Sequence, residues 1–220
     1  MLSFYGRKIP RNAKKFDIKE LKKSNFFFTD GKNSELFHNK ILNFTNLNLE
    51  IGFGSGENLL FQATSNQKEF FLACDPFLKG SLILKKKIDL QMIRNVILTD
   101  LGFFELFNYL DGLFFEKIYI LFPDPWPKKK HKKRRLINEK FVYLINKISK
   151  KNTKIIISTD NKDYLNQILY SFYKIKEFRL CYEYFNEFLI RQFEIPATTY
   201  FKKAEKFRNK SYFLLFEKHS

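Results

Sequence analysis

Among its 220 residues the chain has only two cysteines, Cys74 and Cys181, three histidines and one tryptophan. Two cysteines so far apart give neither metal-ligand spacing nor a disulfide framework. That excludes a zinc-stapled or disulfide-built fold and leads us to expect a reducing, cytoplasmic setting with no resident metal. Acidic residues are also scarce, 23 against 40 Lys and Arg, for a formal net charge of +17. Such an excess is unusual for an ordinary metabolic enzyme and usual for proteins that meet phosphate backbones, although AT-biased coding equally accounts for part of the lysine. No apolar run approaches the roughly 18 residues needed to span a bilayer, and Met1-Leu2-Ser3-Phe4 lacks the charged start and long apolar core of a signal peptide. No membrane partner is expected. The sequence contains no internal repeat and no Pro/Gly/Ser linker, and its length suits one domain with a sizeable core.

Residues 1–25 are basic and poor in apolar periodicity, with Arg7, Lys8, Arg11, Lys14 and Lys15 clustered. They read as an arm that orders only when something binds it. From residue 26 to 220, apolar segments of strand length alternate with helical ones. Strands are expected at 48–53, 69–75, 96–100, 117–122 and 154–159, with a terminal antiparallel pair near 183–190 and 211–218. Helices are expected at 59–64, 79–91, 138–150 and 162–172. Several strands are continuous apolar runs, as in a parallel sheet covered on both faces. The alternation predicts a doubly wound, Rossmann-like α/β domain with helices on both faces of a largely parallel sheet. Phe26-Phe27-Phe28, Phe103-Phe104 and Phe114-Phe115 are read as core in preference to base-stacking platforms.

The first strand runs into Glu50-Ile51-Gly52-Phe53-Gly54-Ser55-Gly56-Glu57. Glycines at alternate positions let backbone approach a ligand closely and turn into a helix whose N-terminal amides point outward. A dinucleotide fingerprint would place its third glycine where Glu57 stands. Glycine at 52, 54 and 56 resembles instead the first motif of S-adenosylmethionine-dependent methyltransferases. Asp75 then ends the next strand, where such enzymes bind the ribose hydroxyls of the cofactor, and Asp100 ends the third, where they hold the adenine amine.

The densest signal is Phe122-Pro123-Asp124-Pro125-Trp126-Pro127, followed by Lys128, Lys129, Lys130, His131, Lys132, Lys133, Arg134 and Arg135. Three prolines in five residues fix φ and remove backbone donors, so Asp124 and Trp126 sit on a stiff turn beside a block of positive charge. A carboxylate aimed next to a phosphate-binding surface points to chemistry on a nucleic acid. Plainer readings stand beside this one. The run could be a solvated face, Trp126 could be core, and Asp160 could cap the helix beginning near Lys162. His131 reads as a surface or RNA-facing residue and not as a catalyst.

From residue 48 to the C-terminus the sequence resembles bacterial tRNA (guanine-N7)-methyltransferases. The resemblance rests on Phe122 to Lys128 with His131 and Lys133-Arg134-Arg135, on Ser158-Thr159-Asp160-Asn161, and on Ile195 to Tyr200. It implies a class I methyltransferase fold, S-adenosylmethionine as methyl donor, and guanine 46 in the variable loop of tRNA as target. Carried over by position, Glu50, Gly52, Gly54, Asp75, Asp100 and Asp124 would bind cofactor, with Asp124 also catalytic. Lys128, Asp160, Thr198, Thr199, Tyr200 and Phe201 would bind the guanine nucleotide, and Lys130, His131, Lys132, Lys133, Arg134 and Arg135 would contact RNA. The family usually has glutamate where Phe201 stands; Glu205 lies one helical turn further. A monomer and a homodimer are both compatible with the resemblance. Two other readings remain open from the residues alone: a methyltransferase for another RNA or a small molecule, and a non-catalytic RNA-binding module.

Overall fold

The computed structural model describes residues 8–11, 13–30, 34–41, 44–185, 195–196, 198–199, 201–202 and 210–220. Its contacts group into two compact units, Met1–Tyr109 and Leu110–Ser220.

The first unit contains α1 (Lys15–Lys22), β1 (Phe27–Phe28), α2 (Ser34–Ile41), β2 (Leu47–Ile51), α3 (Glu57–Ser65), β3 (Phe70–Cys74), α4 (Leu78–Gln91), β4 (Val96–Thr99) and α5 (Phe103–Leu106). Its strands lie in the order β1-β4-β3-β2, all parallel. Every residue of β2, β3 and β4 is buried, which is why β3 and β4 read as near-continuous apolar runs, while β2 buries Asn48 and Glu50 among its apolar residues. Ile51 is in register with Cys74, and Cys74 with Thr99. Gly52, Asp75 and Asp100, each the next residue in its chain, therefore emerge at one level along the carboxyl ends of the strands. Ligands of open α/β sheets bind at this edge.

The second unit contains β5 (Phe115–Leu121), a 3₁₀ turn over Lys129–Arg134, α6 (Glu139–Lys147), β6 (Ser149–Thr159), α7 (Lys162–Tyr173), β7 (Phe178–Phe185) and β8 (Tyr212–Lys218). Its strand order is β5-β6-β8-β7, with β5 and β6 parallel and β8 antiparallel to both neighbours. The expected terminal antiparallel pair is present, but β7 begins at Phe178, and residues 186–190 of the expected strand lie outside the described residues.

The first unit also holds helices that periodicity did not reveal. Within the segment read as an arm, α1 buries Leu21 completely, and both Leu21 and Ile18 belong to the cluster that contains Leu84 and Ile88 of α4. Eight residues carry too little pattern to announce such a helix, and its order comes from packing on α4. In the second unit α6 stops at Lys147, not at 150, because Ser149 already opens β6, where Thr153 donates to the Phe115 carbonyl (2.6 Å). Phe26, Phe27 and Phe28 are core, as are Phe103 and Phe115, whereas Phe114 is half exposed.

Candidate active site

At the end of β2 the backbone turns three times into the left-handed region, at Gly52 (φ 78°), Gly54 (φ 54°) and Gly56 (φ 72°). Residues with a Cβ rarely adopt such angles, so the alternating glycines are a conformational requirement. The Gly52 amide donates to the Cys74 carbonyl (2.8 Å), which ties the loop to β3. Asp75 completes the tie. Its Oδ2 accepts from the Gly54 amide (2.9 Å), and its Oδ1 accepts from the Phe77 amide (2.9 Å), the residue before α4. Through these two bonds Asp75 fixes the loop against the start of α4.

Two residues that the sequence did not single out complete this end. Gly80, in the first turns of α4, lies directly against the loop: a Cβ there would stand 1.7 Å from the Gly54 carbonyl oxygen. Leu84, one helical turn on, fills the space beside Gly56. A helical glycine four residues before a buried leucine was the available signal, but only the fold shows what it faces. The second residue, Asn58, lies in the first turn of α3 and donates from Nδ2 to Glu50 Oε2 (3.1 Å). Glu50 is buried, and desolvation pushes its carboxyl up to about 8, with the nearby Asp75 charge adding to the rise and the Asn58 bond opposing it. At pH 7 Glu50 is therefore mainly protonated. Asp100, after β4, has its Oδ1 buried with no hydrogen-bond partner among the described residues, while Lys22 of α1 approaches its Oδ2 at 3.8 Å. Burying a polar atom without a partner is costly, and an N–H donor placed here would remove that cost.

In the second unit Leu121 is in register with Ser158, so Phe122 to Asp124 and Asp160 leave neighbouring parallel strands at the same end. The Phe122 amide donates to both the Ser158 carbonyl (3.0 Å) and the Ser158 hydroxyl (3.1 Å), which anchors the start of the turn. The turn is then bent backwards. Phe122 has φ 50° and Trp126 φ 40°, two non-glycine residues in the left-handed region flanking Pro123-Asp124-Pro125. Each such residue costs about 1–3 kcal/mol and persists only where its surroundings over-determine it, a pattern concentrated at functional sites. Asp124 is exposed by area, yet the protein around it desolvates the carboxyl enough to raise its pKa above the ordinary value.

The remaining expected residues divide. Lys128, Lys129, Lys130 and Lys133 are exposed on the 3₁₀ turn or just before it. His131 meets the Trp126 ring edge-on with centroids 5.7 Å apart, and the Arg134 guanidinium lies 4.9 Å over the same ring. Lys132 pairs with Asp163 (2.7 Å). Arg135, expected beside RNA with the rest of the run, is interior at 1% exposed. Asp160 does not cap α7, because Asn161 does so by accepting from the Tyr164 amide (2.8 Å). Thr198 is buried, and its hydroxyl accepts from the Phe201 amide (3.2 Å). Phe201 packs on Phe122 and Phe213, linking this segment to the base of the acidic turn through apolar contact. Thr199 is half-buried; Tyr200 and Glu205 lie outside the described residues. Among the described residues no group of three or more His, Cys, Asp or Glu could hold a metal, and no helix is long and apolar enough to cross a membrane.

The chain is similar to proteins whose names agree with this site. Residues 45–214 match the family described as "Putative methyltransferase". A tRNA (guanine-N(7)-)-methyltransferase of Wolbachia pipientis wMel is 42% identical over 120 residues, which span 54% of this chain and 54% of that protein. One from Neorickettsia sennetsu is 31% identical over 170 residues, 77% of this chain and 74% of its own length. Among solved structures, an antibiotic-related methyltransferase superposes with a TM-score of 0.60 at 19% identity, covering 84% of this chain and 94% of the other, which shows a shared fold. With a glycine loop tied to Asp75, a strained Pro-Asp-Pro-Trp turn and relatives matched over most of its length, the chain belongs to the tRNA (guanine-N(7)-)-methyltransferase family.

Proposed function

We propose that this protein transfers a methyl group from S-adenosylmethionine to N7 of guanine 46 in the variable loop of tRNA. The observation that carries the reading is a backward-bent acidic turn followed at once by exposed lysines, in a chain that also builds a glycine loop of the methyltransferase kind. S-adenosylmethionine, when bound, supplies an electrophilic methyl group. The first unit's residues fit it. Asp100 Oδ1, with no hydrogen-bond partner among the described residues, suits the adenine amine, Asp75 beside the glycine loop suits the ribose hydroxyls, and Gly52, where a Cβ would meet nothing within 4 Å, leaves room for close approach. Glu50, held by Asn58, lies at the same strand end to receive a polar group of the donor.

Guanine N7 has an in-plane lone pair and no proton, so its attack requires no general base. The protein's task is placement, which is able to supply about 7–11 kcal/mol of the barrier. Asp124 orients the base through its amino edge and stabilises the positive charge that develops on it, while Lys128, Asp160 and the Thr198-Thr199 segment hold the nucleotide. Lys130, His131, Lys132, Lys133 and Arg134 lie along the RNA backbone, with Lys129 beside them. The protein acts in the cytoplasm, where its tRNA substrate is found.

The test is direct. Incubation with an unmodified tRNA transcript and methyl-labelled cofactor should give 7-methylguanosine at position 46, and a transcript with adenine there should take up no label. Label in a different nucleoside, or none, would overturn the assignment.

A further inference from the structure

Arg135 stands last in the basic run and is the one member taken out of solvent. Its side chain is 1% exposed, among the largest fully buried side chains of the protein. Each guanidinium nitrogen donates a hydrogen bond. Nε donates to the Pro125 carbonyl (2.8 Å), Nη1 to Gln167 Oε1 (2.9 Å) and Nη2 to Asp163 Oδ2 (2.5 Å), and the plane lies 4.8 Å over the Tyr164 ring. Asp163, Tyr164 and Gln167 come from the first two turns of α7, the helix that follows Asp160. They are braced in turn. The Tyr164 hydroxyl accepts from the Ile137 amide (2.9 Å), the Gln167 amide donates to the Ile137 carbonyl (2.9 Å), and Lys132 holds the second oxygen of Asp163.

Pro125 is the residue between Asp124 and Trp126. Its carbonyl is fixed by a planar charged fork whose other two arms are anchored in α7, and such a fork has the geometry for several simultaneous, directed bonds. We propose that Arg135 is a positioning residue that locks the Pro123-Asp124-Pro125-Trp126 turn to α7 and thereby sets where the Asp124 carboxylate points. This rests on the methyl-transfer reading above. It divides a uniform-looking run of positive charge into two tasks: the exposed lysines meet polyanion, whereas Arg135 acts through the Pro125 carbonyl. Lysine would keep the charge but lose the fork, so the locking function is specific to arginine.

The experiment compares wild type with Arg135→Lys, Asp163→Asn and Lys133→Ala in three measurements: steady-state methylation of a tRNA transcript, the slope of log tRNA affinity against log salt, and acrylamide quenching of Trp126, the chain's sole tryptophan. With the lock removed, Arg135→Lys should lower kcat about a hundredfold, the effect of misplacing a reacting group by about 1 Å. Its KM for tRNA and its salt slope should hold, and Trp126 should become more quenchable. Asp163 is exposed and its substitution spares the core, so Asp163→Asn should show the same pattern in milder form even if Arg135→Lys folds poorly. Lys133→Ala should do the reverse, flattening the slope by about 0.7–0.9 with Trp126 quenching unchanged. The proposal is overturned if Arg135→Lys or Asp163→Asn leaves quenching and kcat unaltered, if quenching rises while kcat stays normal, or if Arg135→Lys flattens the salt slope as removal of a phosphate-binding cation would. A wild-type protein that methylates no tRNA would sink the functional reading instead, and the quenching comparison would still decide whether Arg135 holds the turn.

Discussion

Gly80→Ala tests the glycine-loop geometry most sharply, because local propensity and tertiary packing predict opposite signs. Gly80 is buried within α4, where alanine is intrinsically favoured by roughly 0.5–1 kcal/mol. Its added Cβ, however, would lie 1.7 Å from the Gly54 carbonyl oxygen, 2.9 Å from the Gly54 carbonyl carbon and 3.0 Å from Phe53 Cε2. A carbon ordinarily meets a carbonyl oxygen at about 3.3 Å or beyond, so helix and loop must separate by roughly 1.6 Å. Overpacking of this kind costs about 1–3 kcal/mol, which offsets or outweighs the helix gain and leaves a net loss of up to roughly 2.5 kcal/mol. The same displacement moves the Gly54 amide off Asp75, so cofactor affinity should fall by about ten- to a hundredfold. Urea denaturation would measure the first effect and calorimetric titration with S-adenosylmethionine the second. Gly102→Ala is the control, since its added Cβ meets only Glu105 and Pro76 at 3.6 Å, ordinary contact distances. If Gly80→Ala is as stable as wild type or more so and binds cofactor normally, the packing argument is wrong.

Three further outcomes are expected. Because Glu50 binds a proton up to about pH 8 when folded but only up to its ordinary value of 4.5 when unfolded, stability should be highest below about pH 4.5 as far as this group is concerned. It should decline by a few kcal/mol as pH rises to about 8, and level off beyond; Glu50→Gln, which mimics the protonated form, should flatten that decline in denaturation midpoints measured across pH. Asp124→Ala should lower kcat by the equivalent of about 2.7–4 kcal/mol with tRNA affinity nearly intact, and normal turnover would reduce Asp124 to a turn residue. Replacing the exposed Lys129, Lys130 and Lys133 together by alanine should flatten the log–log salt dependence of tRNA binding by about 0.7–0.9 for each phosphate left without its cation, with cofactor titrations unchanged; an unaltered slope would make the run a solvated face.

The sequence by itself determined the strand-helix alternation, the parallel character of the buried strands and the residues at their carboxyl ends. These features are encoded locally, in uninterrupted apolar runs such as Phe70–Cys74 and in glycine and proline, whose backbone preferences act without help from neighbours. The family resemblance likewise rested on contiguous motifs. Tertiary structure decided whatever depends on which side chain faces which. Lysine and arginine are indistinguishable as charge in the run from 128 to 135, yet Arg135 is interior because Asp163, Tyr164 and Gln167, far along the chain, make a receptor for its guanidinium. Asp160 and Asn161 are equally good capping residues by type, and only the backbone entering α7 made Asn161 the cap. Helix propensity alone makes Gly80 a weak point in α4, and only the fold places the Gly54 carbonyl against it. The short helix α1 exists because Ile18 and Leu21 find Leu84 and Ile88, an apolar partner that eight residues cannot announce alone. Local conformation is dictated by near neighbours in sequence, whereas burial, pairing and the aim of a carboxylate are set by contacts that exist only once the chain has folded.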